Sequence, residues 1–185
     1  MFAAVGMPPI LITPRLVLRE LTVHDAAFIL ELVNEPAFLE FIGDKGVRTH
    51  DDARRQIAER YRTHYDRHGF GLWAVVRKDT CETIGICGLL KRDVLDHPDL
   101  GYALLQRHTG QGYATEAVAA TLAHAREKLG HATLHALTAL ENPASIALLG
   151  KFGFRHERIL DLPGYPGPSR VWTSGPAQSE PARYG

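Results

Sequence analysis

The alternation of apolar and polar residues changes period several times along the chain, and each change marks an element. Leu11–Glu20 alternates at period two, with Leu16 and Leu18 on one side, and predicts a first strand. Thr22, followed three residues on by Asp25, has the pattern of a helix N-cap, after which Phe28, Ile29, Leu32 and Val33 share one helical face. Asp51 or Asp52 is expected to cap a second helix, with the stripe Ile57, Tyr61, His64, Tyr65, His68. Between these helices Glu35–Thr49 holds no period and reads as irregular. Gly71–Arg77 and Thr83–Leu90 are apolar runs joined by a polar turn, a predicted hairpin. Leu100–Leu105 is a third such run. From Gly112 to Leu129 the period becomes helical, with Gly130 as the stop. Thr133–Leu140 returns to an extended pattern and Asn142–Phe152 to a short helix. Phe154–Leu160 and Ser169–Thr173 form a closing strand pair.

The order β-α-α-β-β-β-α-β-α-β-β predicts a single α/β domain over residues 10–173, with a mixed, mainly antiparallel sheet flanked by helices. Residues 1–9 are expected to be a flexible N-terminus. Residues 174–185, rich in Pro, Gly and Ser, are expected to be a disordered tail.

Composition narrows the function classes. The 185 residues suit one domain with a substantial core. Lys plus Arg total 21 and Asp plus Glu total 21, so no net charge draws the chain to nucleic acid or to an anionic membrane. No apolar run approaches the ~20 residues of a membrane-spanning helix, and Met1–Pro9 lacks the basic start of a signal peptide. Cys81 and Cys87, read as neighbouring strand positions without an export signal, fit a reduced, cytoplasmic protein. Among the histidines only His64 and His68 have helical i, i+4 spacing, and no acidic or cysteine ligand accompanies them. No metal site is expected.

The segment Tyr102–Ala117 (YALLQRHTGQGYATEA) carries the chemistry. A strand feeds a turn with Gly110 and Gly112, and the turn opens directly into a long helix. Glycines let backbone N–H groups approach a ligand, and the helix start adds free donors and the positive end of its dipole, an arrangement suited to phosphate or pyrophosphate. A dinucleotide fingerprint fails at Thr115, and the G-K-[ST] of a P-loop is absent. A glycine turn chosen only for tight packing stays open as the alternative.

Arg107–Gly112 (RHTGQG) matches the Q/R-x-x-G-x-G/A signature of the GNAT superfamily of acyl-CoA N-acyltransferases, and Asn142–Phe154 (NPASIALLGKFGF) resembles its second signature. Asp99-Leu-Gly-Tyr102 is similar to the segment before the glycine turn in the branch of ribosomal-protein N-terminal acetyltransferases (RimJ/RimL-like). The resemblance covers Ile10–Trp172.

The resemblance implies an acetyl-CoA-dependent N-acetyltransferase acting on a peptide N-terminus or a small amine, as a monomer or homodimer. It implies that the amides of Gly110, Gln111, Gly112, Tyr113 and Ala114 cradle the CoA pyrophosphate, with Arg107 opening the motif. The backbones of Tyr102 and Leu104 would pair with pantetheine, and Asn142 would bind that arm from the opposite side. A plain N-cap before Pro143 is the local alternative for Asn142.

Many family members carry a tyrosine acid on the last short helix, and the matching position here is Leu149. Ser145 is the substitute candidate, or a capping residue. Asp99 is the candidate base acting through water, or a strand-end carboxylate. The acceptor side is expected in Glu35–Thr49 and the second helix, with Phe38, Phe41, Asp44 and Arg48 as candidate lining. Asp44 suits a cationic acceptor and Arg48 a carboxylate, and the sequence does not choose. The missing tyrosine also motivates a second reading, a non-catalytic acyl-CoA sensor.

Overall fold

A computed structural model describes residues 7–175. Residues 1–6 and 176–185, with most of the two expected tails, lie outside the described residues. At the centre is an eight-stranded sheet. Its strands are β1 (Pro9–Ile12), β2 (Leu16–Arg19), β3 (Leu72–Arg77), β4 (Thr83–Leu90), β5 (Asp99–Leu104), β6 (Leu134–Ala139), β7 (Arg155–Leu160) and β8 (Ser169–Ser174). They lie in the order β1-β2-β3-β4-β5-β6-β8-β7, and every neighbouring pair is antiparallel except β5 with β6. The expected mixed, mainly antiparallel α/β domain is what forms.

Helices α1 (Ala26–Val33), α2 (Pro36–Phe41), α3 (His50–Gln56) and α4 (Thr63–His68) precede β3; α5 (Tyr113–Glu127) follows β5, and α6 (Pro143–Lys151) follows β6. Neighbouring side chains on a strand face opposite sides of a sheet, and β4 shows which helices cover which face. Cys87 meets Thr121 of α5, Sγ to Oγ1 3.4 Å, whereas Ile86 faces a cavity shared with Tyr61 and His64. Burial is densest between, in Leu16, Leu18, Trp73, Val75, Ile84, Leu89, Val118 and Leu134. Each large apolar side chain buried there stabilises the fold by about 1.5–3 kcal/mol.

Four local expectations are corrected. The first strand is two: Pro14, with no N–H for a ladder, lies in a turn where Thr13 Oγ1 accepts from Leu16 N at 3.0 Å. The stretch read as irregular contains α2, six residues long and opened by Pro36 at the first helical position. Six residues are too few to display a period. Cys81 sits exposed in the β3–β4 turn at φ +59°, not on a strand, while Cys87 is buried, and both are free thiols.

Finally, α3 is capped by Thr49, not by Asp51 or Asp52. Thr49 Oγ1 accepts from Asp52 N at 3.1 Å, and the Asp52 carboxylate accepts from Thr49 N at 3.0 Å. The aspartate is the return half of a capping box. Thr49→Ala is therefore expected to cost about 1 kcal/mol in urea unfolding. Asp51→Ala, which removes only a surface pair with Arg54, should cost far less. Equal losses would return the cap to Asp51.

Between α3 and α4 the chain widens into a π-helical turn, Ile57–Arg62. Such turns shift side-chain register and recur at functional sites. Here the register brings Gln56, Arg60, Tyr61 and His64 to one cavity.

Candidate active site

Strands β5 and β6 pair only at Asp99–His135 and Leu100–Ala136, and then part. From Gly101 to Leu104 the β6-facing edge of β5 is open, while its other edge stays paired to β4. The open edge leads through Gln106–His108 into the glycine turn. Gly110 and Gly112 lie at φ +73° and +81°, the left-handed region where a side chain is strained. The first intrahelical bond of α5 is Glu116 N to Gly112 O, 3.1 Å. Among the described residues no acceptor takes the amides of residues 110–115. Glu116 pins this turn to the β1–β2 corner, accepting from Thr13 Oγ1 at 2.6 Å and from Arg15 Nε at 2.6 Å.

Two cavities open along the parted strands. The first, about 480 Å³, runs past Leu104, Gly110, Gly112, Tyr113, Ala114 and Thr115, with Asn142, Ala144 and Leu148 of α6 opposite. The second, about 490 Å³, lies under α2 and the π-helical turn and reaches Asp99 and Tyr165. They share Phe38, Ile42, Tyr102, Ala103 and Ser145, so these residues mark the junction.

The structure gathers most of the sequence-predicted residues here. Tyr102, Leu104, Gly110, Gly112, Tyr113, Ala114, Asn142, Phe38 and Phe41 line the first cavity, and Asp44 and Asp99 line the second. Asn142 Oδ1 accepts from Ser145 N at 3.1 Å, so it is an N-cap as well as a cleft residue. Three residues stand apart. Arg107 turns outward to Glu31 and Glu82, and the Gln111 side chain bonds back to Arg107 O at 3.1 Å. Arg48 lines neither cavity and pairs with Asp44 at 2.5 Å, so the two opposed acceptor hints neutralise one another. Leu149 is wholly buried in the core, so no acid acts from that position.

Electrostatics at the junction are set by burial. The Tyr102 hydroxyl is buried with no hydrogen-bond partner among the described residues. Burial pushes its pKa up to about 12, moderated by the nearby Ser145 hydroxyl. A buried hydroxyl left short of partners costs about 1–3 kcal/mol, a cost that a ligand group bound at the junction would relieve. Asp99 is 1% exposed and accepts from Arg92 Nε at 2.9 Å. Burial raises its carboxyl above the ordinary range, and Arg92 pulls against that shift.

Sequence reasoning missed Lys45, Arg60, Lys91, Arg92 and Tyr165, which line the second cavity, and Lys151, which lines the first. Apart from the adjacent Lys91 and Arg92 they come from separate segments, so no local spacing gathers them. Among the described residues no cluster of His, Cys, Asp and Glu is arranged to hold a metal ion, and no helix is long and apolar enough to cross a membrane.

Residues 15–155 match the acetyltransferase (GNAT) domain family. The uncharacterized N-acetyltransferase YoaA of Bacillus subtilis (strain 168) is 28% identical over 155 residues, covering 83% of this chain and 87% of that protein. An acetyltransferase from Agrobacterium tumefaciens str. C58 superposes with a TM-score of 0.74 at 24% identity, over 92% of this chain and 95% of that one. Mycobacterium smegmatis RimJ, solved in complex with CoA-disulfide, superposes with a TM-score of 0.71 at 22% identity, over 86% of this chain and 81% of that one. The two superpositions bear on the fold; the family match, spanning the open edge of β5, the glycine turn and α6, bears on the activity. On that ground the chain is an acetyltransferase and belongs to the GNAT domain family.

Proposed function

We propose that the chain transfers an acetyl group from acetyl-CoA to a primary amine. The observation that carries this reading is the β5 edge, open beyond Leu100 and ending on six successive amides, 110–115, that no acceptor takes among the described residues. An extended amide-bearing arm matches the edge, and a pyrophosphate matches the amides and the helix dipole. Acetyl-CoA supplies both and brings the acyl group as a thioester.

The residues then take separable parts. Tyr102 and Leu104 bind through their backbones, and Asn142 and Leu148 close the cleft from α6. The side chains of Arg107 and Gln111 brace the turn, Gln111 through Arg107 O and Arg107 through Glu31 and Glu82, while the Gln111 amide stays with the pyrophosphate cradle. Phe38 and Ile42 exclude water at the junction, and Phe41 extends that apolar wall along the first cavity. The amine enters from the second cavity, where Asp99 takes its proton through water. Ser145 gives a proton to the departing thiolate, and the buried Tyr102 hydroxyl stands beside it to stabilise charge on the acyl oxygen.

Ser145→Ala is expected to lower turnover toward the low end of the ~10²–10⁴-fold range for acid–base groups while acetyl-CoA affinity holds. Loss of affinity alone would make Ser145 a capping or binding residue. The reading as a whole is tested by offering amines and N-terminal peptides with acetyl-CoA and following free thiol with acetylated product. Acetyl-CoA binding without transfer to any amine would favour the sensor reading, which the burial of Leu149 in place of a tyrosine motivates.

A further inference from the structure

The second cavity gathers more positive than negative charge. Lys45, Arg60, Lys91 and Arg92 line it against Asp44 and Asp99. Both carboxylates are engaged, Asp99 by Arg92 Nε at 2.9 Å and Asp44 by Arg48 at 2.5 Å. Lys91 Nζ donates to Leu95 O at 2.8 Å and Asp96 O at 3.2 Å, and Lys45 Nζ to Ile42 O at 2.9 Å. Carbonyls satisfy those donors without neutralising their charge. Arg60 has no ion-pair partner among the described residues.

Tyr165 holds the group in place. Lys45 Nζ lies 5.2 Å and Arg92 5.5 Å from the centre of its ring. Burial depresses the Lys45 ammonium, and the charges of Arg60 and Arg92 depress it further. His64, pushed down to about 4 chiefly by burial, adds no charge near neutrality. Like charges so close repel, and an anion bound among them relieves the repulsion.

We infer that the acceptor is a small amine bearing a carboxylate or phosphate, which seats among Lys45, Arg60 and Arg92 while its amine reaches the junction at Tyr102 and Ser145. This rests on the reading of the site as one for acetyl transfer to an amine. The N–C bond forms as the C–S bond breaks, and the amine's proton ends on the thiolate. The same positive field favours the neutral amine over its ammonium and disfavours polycationic acceptors such as polyamines and aminoglycosides.

Matched acceptors decide it: amino acids against their carboxamides, phosphoethanolamine against ethanolamine, and short peptides with and without acidic residues. The anionic member is expected to have a kcat/KM about tenfold to a hundredfold higher, the range of a charged hydrogen bond. Arg60→Gln should reduce that ratio about tenfold. Arg54→Gln, on the exposed side of α3, should leave it unchanged. Whether the carboxylate or the phosphate pair separates more names the anion. Equal or better use of neutral or cationic amines, or a preference for peptides regardless of charge, overturns the inference.

If no amine is acetylated, the transfer reading fails, and the anion site is decided separately. Calorimetry with inorganic phosphate and N-acetylglycine then reads it: binding weakened by Arg60→Gln supports the site, and no binding of either overturns it.

Discussion

Ala114→Glu should abolish acetyl-CoA binding in a protein that folds normally. Ala114 is the second residue of α5 and lines the first cavity, within the run of amides that no acceptor takes among the described residues. Glutamate is a good helix former, and a negative charge in the first turn complements the dipole, so stability should hold. Its carboxylate, however, occupies the ground assigned to the pyrophosphate. Two like charges about 4 Å apart cost about 4 kcal/mol near a protein surface, roughly a thousandfold in affinity.

Gly112→Ala makes a useful contrast. Its Cβ would come 3.3 Å from Arg15 Nη2, the far end of a flexible side chain that can give way, so it acts mainly through the strain of φ +81°. That strain is worth about 1–2 kcal/mol, and the loss of affinity should be smaller. Calorimetry on both variants reads the difference, and unchanged affinity in Ala114→Glu would remove the site from the glycine turn.

Asp99→Asn is expected to lower turnover about 10²–10³-fold at pH 7. Amines arrive largely protonated there, with pKa about 10.4 for Lys-like and about 7.7–8.0 for α-amino groups. Loss of the proton acceptor should therefore be partly recovered at higher pH, where the amine deprotonates unaided. Acetyl-CoA affinity should stay, since the amides lie at the far end of β5.

Stability is a separate readout. Because burial raises the folded Asp99 pKa, its contribution is fullest below the unfolded value of 3.8 and declines as pH rises through the folded one. At neutral pH the variant loses a costly buried charge but leaves Arg92 unpaired, and these effects oppose, so Tm should move little. Full activity across the pH range would make Asp99 a positioning residue for Arg92.

What the sequence disclosed follows the range over which its signals act. The glycine turn was legible because only glycine is at ease at the φ of Gly110 and Gly112. The α6 start was legible because Asn142 and Pro143 are local cap chemistry. Thr49 was overlooked because adjacent aspartates offered an equally good local cap, and the box becomes evident only from its bonds. The outward turn of the Arg107 side chain was not legible because its partners, Glu31 and Glu82, lie far off in the chain. The basic wall of the second cavity was invisible for the same reason: Lys45, Arg60 and Arg92 follow α2, sit in the π-helical turn and follow β4, and only the fold joins them.

The most direct measurement is a crystal structure of the protein with CoA. It should show the pantetheine arm hydrogen-bonded to the backbones of Tyr102 and Leu104 on the open side of β5, with the pyrophosphate on the amides of residues 110–114. CoA bound elsewhere, or a β5 edge closed against β6 beyond Leu100, would contradict the account.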